Sequence, residues 1–169
     1  MKDRTIDIDR PPVRLRAWQS EALARYRDAG PTDFLVTATP GAGKTTYALT
    51  LASDLMGRRA IDRVIVVAPT DHLRTQWAYA ADRLGMRLDP TLANDAGGVR
   101  PDMHGYVTTY AQVAARPAIH EARTRAKRSL VILDEIHHAG DGLSWGEATM
   151  TAFDTAARRL ALTGTPFRT

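Results

Sequence analysis

Runs of apolar residues alternate along the chain with stretches in which apolar residues recur at helical spacing. The runs predict strands at 33–38, 64–68, 106–109, 129–133 and 159–163, with a short strand near 88–92. The helical spacing predicts helices at 15–26, 46–57, 71–84, 110–115, 117–126 and 144–156. Because strands and helices alternate throughout, the sequence predicts an α/β fold, with a mostly parallel central sheet and helices on both faces.

Polar motifs follow the predicted strands at their carboxyl ends, the edge at which parallel sheets usually bind ligands. A glycine-rich stretch at 38–45 follows the first strand. Later strands are followed by Pro69-Thr70, Thr108-Thr109, Asp134-Glu135 and 163–165. We therefore expect these motifs to lie along one edge of the sheet.

The glycine-rich stretch, ATPGAGKT at 38–45, has the form of a phosphate-binding loop, although Ala38 stands where the motif has its first glycine. Glycines let the backbone turn several N–H groups towards a phosphate, and the next helix adds the positive end of its dipole. Lys44 would place an ammonium group between the outer phosphates, and the Thr45 hydroxyl would bind Mg²⁺. The predicted nucleotide contacts in the loop are Pro40, Gly41, Ala42, Gly43, Lys44, Thr45 and Thr46, with Lys44 also catalytic.

Composition narrows the possible functions without selecting one. At 169 residues, 44% hydrophobic and 25% charged, the chain is long enough for one domain with an ordinary core. The lack of cysteine excludes disulfides and thiolate metal sites. A polar amino terminus and the lack of a long apolar run predict a soluble protein of the cytoplasm or another intracellular compartment, with no membrane partner.

The net charge indicates a polyanionic partner, and the scarcity of lysine singles out Lys44. The net charge of +4 suits binding to nucleic acid without requiring it. Of the 23 basic residues, only Lys2, Lys44 and Lys127 are lysines. Since the chain otherwise uses arginine, position 44 is expected to require a compact ammonium group.

Two adjacent acidic residues, Asp134 and Glu135, follow the predicted strand at 129–133 and would complete an NTPase site. The carboxylate of Asp134 would bind Mg²⁺ together with Thr45. Glu135 would orient and deprotonate the attacking water. Paired acidic residues can instead merely cap a helix, but the phosphate-binding loop upstream favours the catalytic interpretation.

Six motifs occur in a defined order along residues 15–169. They are LRAWQ (15–19), ATPGAGKT (38–45), APT (68–70) with Leu73, Gln76 and Trp77, VTTY (107–110), DEIH (134–137) and LTGTP (162–166). Together they resemble the adenine-recognition motif, the phosphate loop, motifs Ia and Ib, the DEAD/DEAH-type box and motif III of superfamily-two helicases and translocases. The branch that they resemble is shared by restriction-enzyme motor subunits and the transcription and repair helicases. Residues 1–14 are expected to form an extended lead-in.

The resemblance implies a RecA-like P-loop NTPase domain, the first motor domain of such proteins, with ATP and Mg²⁺ as cofactors. By this resemblance Gln19 reads the adenine edge, Arg16 stacks on the base, Asp134 serves the metal and Glu135 serves the water. The residues that would couple nucleotide state to nucleic-acid binding are His137, Thr163 and Thr165. The residues that would contact nucleic acid, DNA rather than RNA, are Pro69, Thr70, Arg74, Thr108 and Thr109.

The chain stops after the motif at 162–166, whereas members of this family continue into a second RecA-like domain. The sequence is therefore expected to lack that domain and to receive it in trans from a separate polypeptide, with weak hydrolysis alone. One alternative is a non-catalytic regulatory module that binds nucleotide or nucleic acid. Another is a P-loop enzyme such as a small-molecule kinase, which the LTGTP motif disfavours. Trp18 and Trp77 are interpreted as core residues, and the basic stretch 123–128 as a solvated face.

Overall fold

The computed structural model describes residues 14–37, 43–137 and 143–164. Its strands are β1 (Asp33–Thr37), β2 (Arg63–Ala68), β3 (Leu88–Asp89), β4 (Gly105–Thr109), β5 (Ser129–Leu133) and β6 (Arg158–Thr163). Its helices are α1 (Ala17–Ala29), α2 (Lys44–Gly57), α3 (Asp71–Arg83), α4 (Tyr110–Ala115), α5 (Pro117–Arg125) and α6 (Leu143–Phe153). Strands and helices lie close to the predicted ranges, so the alternating pattern is confirmed.

The six strands form one sheet in the order β1-β6-β5-β2-β4-β3, and every neighbouring pair is parallel. All residues of β2, β4 and β5 are buried. Covering both faces removes the polar face that would produce alternation, which is why β2 and β5 contain nearly continuous apolar runs. The predicted α/β class with a parallel central sheet is confirmed, and all carboxyl ends of the strands lie at one edge.

Helices cover both faces of the sheet. On one face the core joins residues of α1, α2 and α3, including Leu23, Tyr47 and Trp77. On the other face it joins residues of α4 and α6, including Tyr110 and Phe153. No helix of the described segments is long and apolar enough to cross a membrane.

The predicted strand near 88–92 is shorter than expected. Only Leu88 and Asp89 pair with β4, because Pro90 has no N–H to continue the ladder. The side chain of Asp89 then accepts hydrogen bonds from the backbone N–H and the hydroxyl of Thr91, at 2.9 Å and 3.0 Å. These bonds close a turn at the end of β3.

A buried polar cluster lies at the sheet's β4 side, and it corrects the interpretation of the basic stretch 123–128. Arg123 is only 5% exposed, its guanidinium lies 5.2 Å from the ring centre of Tyr106, and it donates to the carbonyl of Ala93. His120 bonds the Tyr106 hydroxyl through Nδ1 and the side-chain oxygen of Asn94 through Nε2, both at 2.8 Å. The first arginine of the stretch is therefore a core residue.

Acid is expected to destabilise the fold through His120. Burial lowers the pKa of His120 to about 4, and the charges of Arg123 and Arg74 lower it as well. An unfolded histidine titrates near pH ~6.5. As pH falls from there to about 4, the unfolded state binds a proton that the folded state does not, so the free energy of unfolding decreases by about 3 kcal/mol in total.

Urea unfolding at about pH 7.5 and about pH 4.5 measures this loss. The His120→Gln variant should show a smaller difference between the two pH values than the unmodified chain. His72→Gln is the matched control, because His72 lies exposed on α3. An equal pH dependence in His120→Gln and the unmodified chain would contradict the assignment.

Candidate nucleotide and metal site

The first turn of α2 lies directly behind the glycine-rich loop. Gly43 is the N-cap of α2 and has φ +90°, a left-handed conformation that favours glycine. A Cβ at this position would lie 2.5 Å from Nε2 of Gln19. Lys44 is the first helical residue, and Thr45 and Thr46 follow it half-buried. The predicted contacts Pro40, Gly41 and Ala42 lie outside the described residues.

Gln19 is buried between α1 and the end of the loop. Its Oε1 accepts from the backbone N–H of Arg16 at 2.6 Å, and its Nε2 donates to the carbonyl of Gly43 at 2.7 Å. The side chain of Arg16 also approaches Gly43, since its Cζ lies 3.8 Å from the position of a Cβ there. The two residues predicted to recognise adenine thus border the phosphate loop, while their contact with a base stays a prediction.

Asp134 lies at the carboxyl end of β5 and is held from three directions. Its backbone N–H donates to the carbonyl of Val67 at 2.9 Å. Its Oδ2 accepts from the indole Nε1 of Trp77 at 2.9 Å, and its carbonyl accepts from the hydroxyl of Tyr110 at 2.8 Å. Burial raises the pKa of the Asp134 carboxyl, as does the adjacent Glu135, although the Trp77 bond opposes this.

Glu135 joins three of the predicted motifs. Its Oε1 lies 4.0 Å from Nζ of Lys44, and its Oε2 lies 3.4 Å from Nδ1 of His137. The backbone N–H of Gly164 donates to the same Oε2 at 3.4 Å. Glu135 has φ +47°, which costs a residue other than glycine about 1–3 kcal/mol. Such strain is typical of residues that a functional site holds in place.

Of the predicted coupling residues, His137 and Thr163 lie within the described part of the chain. His137 is paired with Glu135, and Thr163 is buried at the end of β6, one residue before Gly164. Thr165 lies outside the described residues. The structure thus brings Lys44, Glu135 and His137 together, while their roles in hydrolysis and coupling stay predictions.

The residues predicted to contact nucleic acid divide into exposed and buried ones. Pro69 and Thr70 end β2, and Thr70 is exposed and caps α3 by accepting from the N–H of Leu73 at 3.4 Å. Thr108 and Thr109 are buried, and their hydroxyls bond within the protein to Gln112. Of the five residues predicted to contact nucleic acid, only Pro69 and Thr70 are accessible to solvent.

Arg74 also forms hydrogen bonds to acceptors within the protein. Its guanidinium donates to the carbonyl of Val107 at 2.9 Å and to that of Leu92 at 3.2 Å, and it lies 3.5 Å from Asp71. These bonds join α3 to β4 and to the segment that follows β3. They give Arg74 a structural role, and its predicted contact with nucleic acid stays a prediction.

Two residues of the site were not singled out for chemistry by the sequence. Burial of Trp77 confirms its interpretation as a core residue, but that interpretation omitted its hydrogen bond to Asp134. Tyr110 likewise donates to Asp134. The signal available was chemical, because a buried Trp N–H or Tyr O–H usually has a polar partner.

Comparison with known proteins identifies the family of the chain. The family model of the type III restriction enzyme res subunit matches residues 12–168. Proteins of Mycobacterium tuberculosis and Mycobacterium leprae are 52% identical over 158 residues and 50% identical over 164 residues. These matches cover 94% and 97% of this chain. The chain spans about a quarter of these relatives, 26% and 27% of their lengths.

Solved structures share the fold at low identity. The Sulfolobus solfataricus SWI2/SNF2 ATPase core in complex with double-stranded DNA has a TM-score of 0.71 at 19% identity, covering 98% of this chain and 34% of that one. The UvsW helicase from bacteriophage T4 has a TM-score of 0.65 at 15% identity, covering 95% and 56%. The predicted RecA-like domain of superfamily-two type is thereby confirmed, and the chain belongs to the family of the type III restriction enzyme res subunit.

Proposed function

We propose that this chain is the ATP-binding half of a nucleic-acid-dependent ATPase of helicase or translocase type. The observation that carries the proposal is the position of Glu135, within reach of Lys44, His137 and Gly164. Residues from the phosphate loop, the acidic box and the end of β6 meet there at one edge of the sheet. A helix cap would not require this convergence.

The acidic end of β5 fits a magnesium ion. Mg²⁺ usually takes one or two protein ligands, the rest being water and substrate phosphates. Burial raises the pKa of Asp134, so a cation beside it would offset the unfavourable burial of the carboxylate. Asp134 and Thr45 would hold the ion, which when bound would neutralise charge on the phosphates.

Hydrolysis assigns distinct roles to the neighbouring charged groups. The Lys44 ammonium, at the start of α2, would neutralise charge that develops on the outer phosphate oxygens. Glu135 would accept the proton of the attacking water. Arg16 and Gln19 would contact the adenine. Because Glu135 shares one oxygen with His137 and Gly164, a change in its position would reach the segment after β6.

Nucleic acid is proposed to bind where α3 begins, with DNA favoured over RNA. Thr70 is exposed and caps this helix, whose N-terminal N–H groups suit phosphates. A relative in fold, the SWI2/SNF2 ATPase core, was solved with double-stranded DNA. Another, a nuclease-deletion mutant of the type ISP restriction-modification enzyme LlaGI, was solved with a DNA substrate mimic. The net charge of +4 is compatible with a polyanion.

Efficient hydrolysis is proposed to need a second RecA-like domain, either on a separate polypeptide or in a longer protein. Arginines brought by such a domain can accelerate phosphoryl transfer by ~10³–10⁵. The curated relatives are about four times as long as this chain, which covers 26% of one of them. Their length leaves room for such a domain.

Steady-state ATP hydrolysis, with and without double-stranded DNA, tests the proposal. We expect a low rate for the chain alone and a DNA-stimulated rate when a polypeptide with the second RecA-like domain is added. The stimulation should weaken as salt rises, because phosphate contacts release counterions. ATP binding without turnover under every condition would favour the regulatory module instead.

A further inference from the structure

We propose that Trp77 and Tyr110 are positioning residues for Asp134, the carboxylate that would hold Mg²⁺. They would link this carboxylate to the edge of the sheet at which nucleic acid is proposed to bind. The inference rests on the proposed function and adds a mechanism by which nucleic acid would regulate the ATP site. It is separate from the contacts of His137 and Gly164, which reach Glu135 instead.

The first half of the link runs through α3. This helix begins at its cap Thr70, a candidate nucleic-acid contact, and Trp77 lies two turns further on, about 10 Å along the axis. Trp77 is 2% exposed, and its indole N–H donates to Oδ2 of Asp134 at 2.9 Å. A rigid helix therefore connects the end of β2 to one oxygen of the carboxylate that would hold the cation.

The second half runs through α4. Tyr110 is its first residue and directly follows the cap Thr109. The Tyr110 hydroxyl donates to the backbone carbonyl of Asp134 at 2.8 Å. Trp77 thus orients the carboxylate of Asp134, while Tyr110 fixes the backbone of the same residue.

Arg74 makes the two halves move together. From α3, its guanidinium donates to the carbonyls of Val107 on β4 and of Leu92. Since β4 leads directly into α4, a shift of α3 displaces the start of α4 as well. Nucleic acid bound at the start of α3 would therefore act on Asp134 through two hydrogen bonds at once, one from Trp77 and one from Tyr110.

Trp77→Phe and Tyr110→Phe remove one donor each while keeping an aromatic ring. Replacing residues that orient metal ligands typically weakens metal affinity or activity by roughly 10–100-fold. We expect Mn²⁺–ADP binding, measured by calorimetry on the whole chain, to weaken about 10-fold in each variant. In the ATPase assay with the second domain, stimulation by DNA should fall more than the basal rate, while affinity for DNA stays unchanged.

Tyr26→Phe is the matched control. Tyr26 is also buried and its hydroxyl donates to a backbone carbonyl, that of Pro31, at 3.2 Å, but it lies on α1 away from Asp134. This variant should bind Mn²⁺–ADP and respond to DNA like the unmodified chain. Thermal melting identifies a variant that fails to fold, and Tyr110→Phe, which loses a single oxygen atom, then decides the question.

The outcomes separate this inference from the proposed function. Unchanged Mn²⁺–ADP affinity and unchanged DNA stimulation in a folded Tyr110→Phe and Trp77→Phe would overturn the link and leave the ATPase proposal standing. Weakened Mn²⁺–ADP binding in a chain that never hydrolyses ATP would support the positioning role and overturn the ATPase proposal. No Mn²⁺–ADP binding by the unmodified chain would overturn both.

Discussion

Replacing Lys44 with alanine is expected to reduce DNA-stimulated ATP hydrolysis by at least ~10²-fold, the effect of removing one preorganised group that stabilises a developing anion. The Lys44 side chain is only 11% exposed and its Nζ lies 4.0 Å from Oε1 of Glu135. The variant therefore removes a cation that pairs with Glu135 as well as the predicted phosphate contact. Steady-state turnover with saturating DNA and the second domain is the measurement.

Two companion variants sharpen this prediction. Lys127→Ala removes the other lysine of the described residues, which lies beside β5 at its far, amino end, and should leave turnover unchanged. Lys44→Arg should also be impaired, because the planar guanidinium is larger than the compact ammonium. Full turnover in Lys44→Ala would exclude a role in phosphate chemistry.

Replacing Glu135 with glutamine is expected to lower turnover by about 10²–10⁴-fold while ATP binding persists, because the amide cannot accept the proton of the attacking water. Glutamine has the same length, and its side-chain oxygen can still accept from the N–H of Gly164. The fold around φ +47° at position 135 should therefore be retained. Nucleotide affinity and single-turnover hydrolysis, measured on one preparation, separate the two effects.

Glu121→Gln is the control for this change. Glu121 lies on α5 in an ion pair with Arg125 and away from the site, so its replacement should alter neither binding nor turnover. If Glu135→Gln lost nucleotide binding and hydrolysis to the same degree, Glu135 would have a structural role, as the partner of Lys44 and His137, instead of a role as base.

The central strands were predictable because a strand that is buried on both faces consists largely of apolar residues. The apolar runs at 64–68 and 129–133 fit a strand covered on both faces, and β2 and β5 are buried along their whole lengths. The polar motifs after these strands could be placed at one edge of the sheet because the carboxyl ends of parallel strands lie together. Prediction was weaker at β3, where Pro90 ends the pairing after two residues.

Charged side chains were the least predictable, because their burial depends on acceptors that distant segments supply. The contact of Arg74 with nucleic acid stays a prediction, but no feature of the sequence indicated that its guanidinium donates to the carbonyls of Leu92 and Val107. Arg123 was predicted on a solvated face, yet it lies over the ring of Tyr106. Nothing in the local pattern around either arginine distinguishes a buried guanidinium from an exposed one.

The sequence by itself determined which chemical groups stand at the strand ends: Lys44 after the glycine loop and the acidic pair after β5. Only the tertiary structure decided what holds them. Gln19 meets the carbonyl of Gly43, 24 residues away, and Trp77 meets Asp134, 57 residues away. The strand order β5-β2-β4 brings the helices after β2 and β4 beside the end of β5, and such an order depends on packing across the whole sheet, which no local pattern encodes.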